Sequence, residues 1–336
     1  MGSEALVKFL PSPGRGAAVD HAVRQKLGDS LETLYERGGS FITYDENTLK
    51  SLVEDVRRGP VRPAIFGTYT DLVESIYADD VDRAQRLSDR LLALKAPCQE
   101  IHTLNLCDED LGPDQAERYA RLIDDDPDEP TCMRKTADMA SASAAVEEAL
   151  SLIDAGDPML AAEIRAIARE VVVAEPARSA ETGELSQFDG ASTLYLWGAV
   201  FARVSDKSRV DLAQTFAHET GHLLLFGLMM GQPLVENAYD ERYDSPLRQD
   251  PRPMEGLVHA AYVIARMHHC LASLAGSNLL STDEETKARS DMERHKVRFG
   301  LALETINKEA RFSATGAEIF GDAVEYMKAQ RQVALA

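Results

Sequence analysis

The sequence predicts a mainly α protein, α+β in class, in which a small β-sheet precedes a metal-binding helix carrying the pattern HExxH. Three observations lead there. Most of the chain repeats apolar residues at helical spacing between Asp, Asn or Ser starts and Gly or Pro stops. One stretch, STLYLWGAVFARV, is instead aromatic and β-branched and lies between Gly190 and the polar SDKSR. Soon after comes TFAHETGHLLLFGLM, with His218 and His222 four apart and Glu219 next to the first.

The elements follow in order. VDHAVRQKLGDSLETLYERGG is amphipathic and closes on glycines, a usual helix stop. DENTLKSLVEDVRRGP and DDVDRAQRLSDRLLALKAP each pair an acidic start with a helical apolar period and a proline stop. GPDQAERYARLI, with proline in its first turn, predicts a fourth helix and runs into DDDPDEP at 124–130, an acidic, proline-broken linker. Helices are expected over ADMASASAAVEEALSLIDAGDP and over PMLAAEIRAIAREVVV, then a strand or pair of short strands over STLYLWGAVFARV. The motif helix spans about 208–229, and a loop rich in Asp, Ser and Pro leads to a helix from Pro253 to about Ala275. Two more helices, TDEETKARSDMERHKVRFGLALETINKEA and TGAEIFGDAVEYMKAQRQ, close the chain. The linker divides it into a helical N-terminal region, 1–130, and an HExxH metal-binding catalytic domain, 131–336.

The 336 residues suffice for one large domain or two modest ones. With 36 Lys and Arg against 56 Asp and Glu, the net charge is −20, which repels nucleic-acid phosphates and anionic lipid and suits a cationic or neutral peptide partner. Cys98, Cys107, Cys132 and Cys270 are widely spaced and form no CxxC pair, as expected of free thiols in a reducing compartment. MGSEALVKFLPSPGRG lacks an apolar signal-peptide run, and the longest apolar run, 223–230, is too short to span a bilayer. A cytoplasmic protein is expected. The sequence leaves its oligomeric state open.

On a helix, residues four apart share a face, so His218 and His222 can offer two imidazole nitrogens to one ion. Gly221, unfavourable in a helix by about 1 kcal/mol, lets another segment or a ligand approach closely. The next helix offers Glu255 and His259, also four apart. Glu255 falls in the first turn, where a glutamate serves the helix itself by capping and by its charge. His259 lies a turn deeper on an apolar background, where an unpartnered imidazole is costly. His259 is therefore favoured as third ligand, with Glu255 the alternative. His268 and His269 lie off that face, and His21, His102 and His295 sit in no motif.

Two chemistries fit these ligands. With Glu255 as ligand and Glu219 as general base, the site is that of a zinc peptidase of the zincin type. Against it, the span from His222 to Glu255 is longer than the usual glutamate-zincin spacing, and no pro-segment is evident. The loop SPLRQDPRP points elsewhere, because Ser245, Arg248 and Arg252 together suit a small dicarboxylate. A three-residue facial ligand set leaves iron positions for a 2-oxo acid and dioxygen. The same arginines could equally form surface ion pairs with the abundant carboxylates.

From about residue 131 to 275 the chain resembles the HExxH-motif peptide-modification family, described as 2-oxoglutarate-dependent peptide β-hydroxylases acting on ribosomally made peptides in bacterial natural-product biosynthesis. The resemblance is carried by DPMLAAEIRAIAREVVV, ASTLYLWGAV, LAQTFAHETGHLLL and SPLRQDPRPMEGLVHAAYV, the order and spacing of the last two above all. It implies an oxidoreductase using Fe(II), 2-oxoglutarate and dioxygen to hydroxylate a side-chain β-carbon. It carries to His218, Glu219, His222, Ser245, Arg248, Arg252 and His259, and departs at Leu247, where the family has an aromatic residue. A peptide, such as a ribosomal precursor, or an amino acid is the expected substrate. A zinc peptidase and a non-catalytic peptide-binding protein are the alternatives.

Overall fold

The computed structural model of the chain describes residues 7–38, 42–123, 131–179, 182–247 and 250–333. The chain is mainly helical with a small mixed sheet, and no described helix is long and apolar enough to cross a membrane. The stretch read as a linker, 124–130, lies outside the described residues. Two compact units are formed, each from separated segments: one from 19–146 and 165–206, the other from 1–18, 147–164 and 207–336.

The first unit holds the sheet. Its helices include most of α1 (Arg15–Gly38), α2 (Glu46–Arg58), α3 (Pro63–Tyr77) and α4 (Val81–Ala93). The Asp45 side chain caps α2 by accepting from the Thr48 N–H, and Asp80 caps α4 through the Arg83 N–H. Strand β1 (His102–Asn105), α5 (Asp108–Leu111), α6 (Gln115–Leu122) and β2 (Met133–Lys135) come next. After α7 (Met139–Gly156) and α8 (Pro158–Ile167), which have residues in both units, the sheet is completed by β3 (Glu170–Pro176), β4 (Gly190–Ala191) and β5 (Ala199–Ala202). The order is β1-β3-β5-β4, with β1 and β5 parallel to the central β3, β4 antiparallel to β5 and β2 antiparallel to β3. Val171, Val172 and Val173 are buried on both faces of the sheet, and Trp197, 1% exposed, donates from its indole N–H to Asp20 at 3.0 Å.

Expectations are corrected here at AREVVV, Pro113 and Pro253, and the strand expected over STLYLWGAVFARV is narrowed. AREVVV does not continue the helix before it: α8 ends at Ile167 and the valines form the central strand. A strand buried on both faces is a continuous apolar run without period two, easily taken for the tail of a buried helix. STLYLWGAVFARV is broken by a 3-10 turn at Leu194–Leu196, so only Ala199–Ala202 pairs as a strand within it. Pro113 precedes α6 instead of opening it, and Pro253 likewise sits at the N-cap of its helix, which begins at Met254.

The second unit carries the motif. It is built on α9 (Arg209–Met229), α10 (Met254–Ala275), α11 (Thr282–Glu309) and α12 (Ala314–Val333). Its core joins Phe9, Leu225, Met254, Val258, Tyr262, Phe299 and Phe320. Arg15 and Arg266 both bond the buried Glu163, and Arg266 also donates to the Phe9 carbonyl at 3.1 Å. This buried group ties the N-terminal segment to α10. The cysteines are free thiols, with Cys98 and Cys270 buried.

Candidate functional site

Helix α9 starts on a capping box. Ser208 accepts from the Asp211 N–H, and the Asp211 side chain accepts from the Ser208 N–H. From there, Leu212, Phe216, Leu223 and Leu224 are fully or almost fully buried, while His218 and His222 remain half-buried on another face. At Gly221, α10 makes the close approach: a Cβ would stand 3.2 Å from Val263 and 3.3 Å from Arg266. A side chain here would press on these neighbours, so glycine suits the close approach, and the partner it admits is a helix, the one that bears His259.

His222 and His259 are thereby brought face to face. Their rings are nearly parallel, with Nδ1 atoms 3.3 Å apart and centroids 5.6 Å apart. The ring of His218 stands edge-on to His222 at 4.8 Å between centroids. The aromatic ring of Phe226 covers His259 at 5.1 Å, and Met229 sets its sulfur 3.1 Å from His259 Nε2. Sequence reasoning passed over Phe226 and Met229, although they lie four and seven residues beyond His222 and so share its face.

Burial keeps all three imidazoles neutral at pH 7. It pushes His218 down to about 4 and His259 to about 3, and holds His222 well below the usual histidine range. The cations Arg298 and Lys207, which no motif flagged, and His295 add to the depression at His218. A neutral imidazole is the form that ligates. Two nitrogens bound to one ion at about 2.0–2.1 Å stand roughly 2.9–3.4 Å apart at octahedral to tetrahedral angles. The His222–His259 pair matches this spacing. Among the described residues, no group of three or more His, Cys, Asp or Glu is arranged to hold an ion. The pair therefore fits a metal that favours imidazole, while a complete ligand set with His218 is not assembled.

The other residues fall as follows. Glu219 is 4% exposed, and its carboxylate stands 3.9 Å from His218 Nε2. Glu255 is half-buried in the first turn of α10, lines a cavity, and has its carboxyl raised by that burial. The Ser245 hydroxyl accepts from the Leu247 N–H at 3.3 Å. Arg252 pairs with Asp250, and its backbone exchanges two hydrogen bonds with Tyr243, closing the loop before α10. Among the described residues, the hydrogen bonds and ion pairs of Ser245 and Arg252 stay within this loop. Arg248 lies outside the described residues. His268, His269 and His295 are committed elsewhere, to Tyr326, Asp157 and Gln214.

No protein-family model matches the chain, and no curated protein matches it.

Proposed function

We propose that the chain is an Fe(II)- and 2-oxoglutarate-dependent oxygenase that hydroxylates a side-chain carbon, the β-carbon by family resemblance, of a peptide or amino-acid substrate in the cytoplasm. The observation that carries this reading is the face-to-face pair His222 and His259, 3.3 Å apart at Nδ1, donated by two different helices. In the zinc-peptidase alternative, Glu255 takes the third place. Favouring the present reading, His259 faces the motif while Glu255 lines a cavity a turn away.

His218, His222 and His259 would hold the metal, which supplies the activation of dioxygen coupled to 2-oxoglutarate decarboxylation. The overall exchange balances: substrate C–H, 2-oxoglutarate and O₂ give C–OH, succinate and CO₂. Glu219, buried against His218, acts as a positioning residue and not as a base. The distal carboxylate of 2-oxoglutarate needs a cation, because leaving that charge unpaired in a closed site is prohibitive. Arg248 takes this role, helped by Ser245, since Arg252 is engaged with Asp250 and in closing the loop. Phe226 shields one side of His259 from water.

The test is product mass. Iron-loaded protein, 2-oxoglutarate and a pool of peptides are incubated under isotopically labelled dioxygen. One labelled oxygen atom in a peptide supports the reading. Cleaved peptides carrying oxygen from water support the peptidase instead.

A further inference from the structure

One surface near the histidines remains without a role. The loop after α9 and the first turn of α10 line a pocket of about 310 Å³ that is open to solvent, at the small end of ligand pockets and suited to one long side chain. Glu236, Asn237, Tyr239, Pro253, Met254 and Glu255 are among its lining. The wall is fixed. Ser313 donates through its N–H to Leu234 and through its hydroxyl to Pro233, while the Glu236 N–H donates to Arg311. Asn237 donates to the Glu309 carbonyl at 3.0 Å and to Tyr243 at 2.7 Å. At Gly316 a Cβ would collide with the Leu234 carbonyl, so the loop is seated directly on backbone.

The lining has one electrostatic sense. Among the described residues, neither the Glu236 nor the Glu255 side chain has an ion pair or hydrogen bond. Tyr239 is 73% exposed, and the chain's own Arg242 holds its guanidinium 5.8 Å from the centre of that ring. The ring thus already accepts a cation on its face. A half-buried carboxylate, Glu255, an exposed one, Glu236, and a cation-accepting aromatic around a side-chain-sized pocket are complementary to a guanidinium or ammonium group on an extended stem.

We infer that this cavity, through Glu255, Glu236 and Tyr239, binds a basic side chain, Arg or Lys, of a peptide. The inference rests on the proposed peptide hydroxylation only for what the bound side chain then does. Glu255 is one helical turn from His259 on the same face, a rise of about 6 Å. An extended peptide advances about 3.3 Å per residue, so a residue about two positions from the basic one would lie opposite the histidines. This gives Glu255 a role in substrate recognition and not in metal ligation.

The experiment measures binding to the full-length, metal-free protein, so that it does not depend on turnover. The probe is a capped pentapeptide with a central arginine between glycines, compared with its citrulline counterpart, which has the same shape without the charge. The arginine peptide should bind at least about 10-fold more tightly, the scale of one charge-assisted pair. Glu255→Gln and Tyr239→Ala, the latter an exposed position, should each weaken it several-fold, and Glu54→Gln, in the other unit, should leave it unchanged. Equal binding of the arginine and citrulline peptides, no binding of either, or indifference to Glu255→Gln and Tyr239→Ala would overturn the inference. So would free arginine binding as tightly as the peptide. If the peptide binds as expected and no hydroxylation is found, the hydroxylation reading fails and the pocket stands.

Discussion

His259 has two neighbours that explain it and one rival. It faces His222 at 3.3 Å and Met229 at 3.1 Å, while Glu255 sits on its helix one turn earlier. His259→Ala should lose most bound metal and Glu255→Gln should keep it, because loss of one of three ligands removes a direct bond to the ion. Metal content after desalting checks this, and the reverse pattern would return the third place to Glu255. Arg248→Ala should keep the iron and raise the 2-oxoglutarate requirement by roughly 10- to 1000-fold, the loss of a charge-assisted pair at about 1.4 kcal/mol per decade. Arg252→Ala should act less on 2-oxoglutarate, since Asp250 already answers its charge. A titration that finds Arg252 dominant would reassign the carboxylate. At this scale the sequence was informative where spacing on one helix decides the face, as with His218 and His222. It was silent on Arg298 and Lys207, which act on His218 from remote positions in the chain.

Among the elements, α9 and α10 depend on contacts that can be removed one at a time. Ser208→Ala breaks the capping box of α9 and should cost about 1 kcal/mol, seen as a lower denaturation midpoint. Glu163→Gln should cost more, about 3–5 kcal/mol, because Arg15 and Arg266 are both buried against that carboxylate. Chemical denaturation comparing the two variants checks the order, and a Glu163→Gln loss no larger than that of Ser208→Ala would contradict it. The amphipathic helices were legible because each shows one apolar stripe and a stop. Helix α3 was not: its buried side includes the polar Thr68, Asp71 and Ser75, while its more exposed stripe, Tyr69, Thr70, Val73, Glu74 and Tyr77, carries a single charge, so polarity does not mark its period. Strands β1 and β2, four and three residues long, are too short for alternation to register. They become strands because β3 offers them its edges.

For the whole molecule, the buried histidines set the acid limit. His218, His268 and His295 are pushed down to about 4 and His259 to about 3, against about 6.5 when unfolded. Between those values the unfolded chain binds protons that the folded chain refuses. Stability of the metal-free protein should therefore be flat with respect to these groups above about pH 6.5 and fall as pH drops from there toward 4. Asp157 and Glu284, held down at about 2 by His269 and Arg209, extend the loss below the normal carboxylate range. Thermal melts across pH check this, and His295→Gln should flatten the upper part of the fall. Equal melting temperatures at pH 7 and 5 would contradict it. The central claim is that the paired histidines serve oxygen chemistry rather than hydrolysis, and its most direct measurement is succinate release. Fe(II)-loaded protein should form succinate from 2-oxoglutarate only in the presence of dioxygen, even slowly without substrate. Zinc, or the change His222→Ala, should abolish it. Succinate no greater than that formed by free iron, with peptide cleavage by the zinc-loaded protein in the absence of oxygen, would contradict the account.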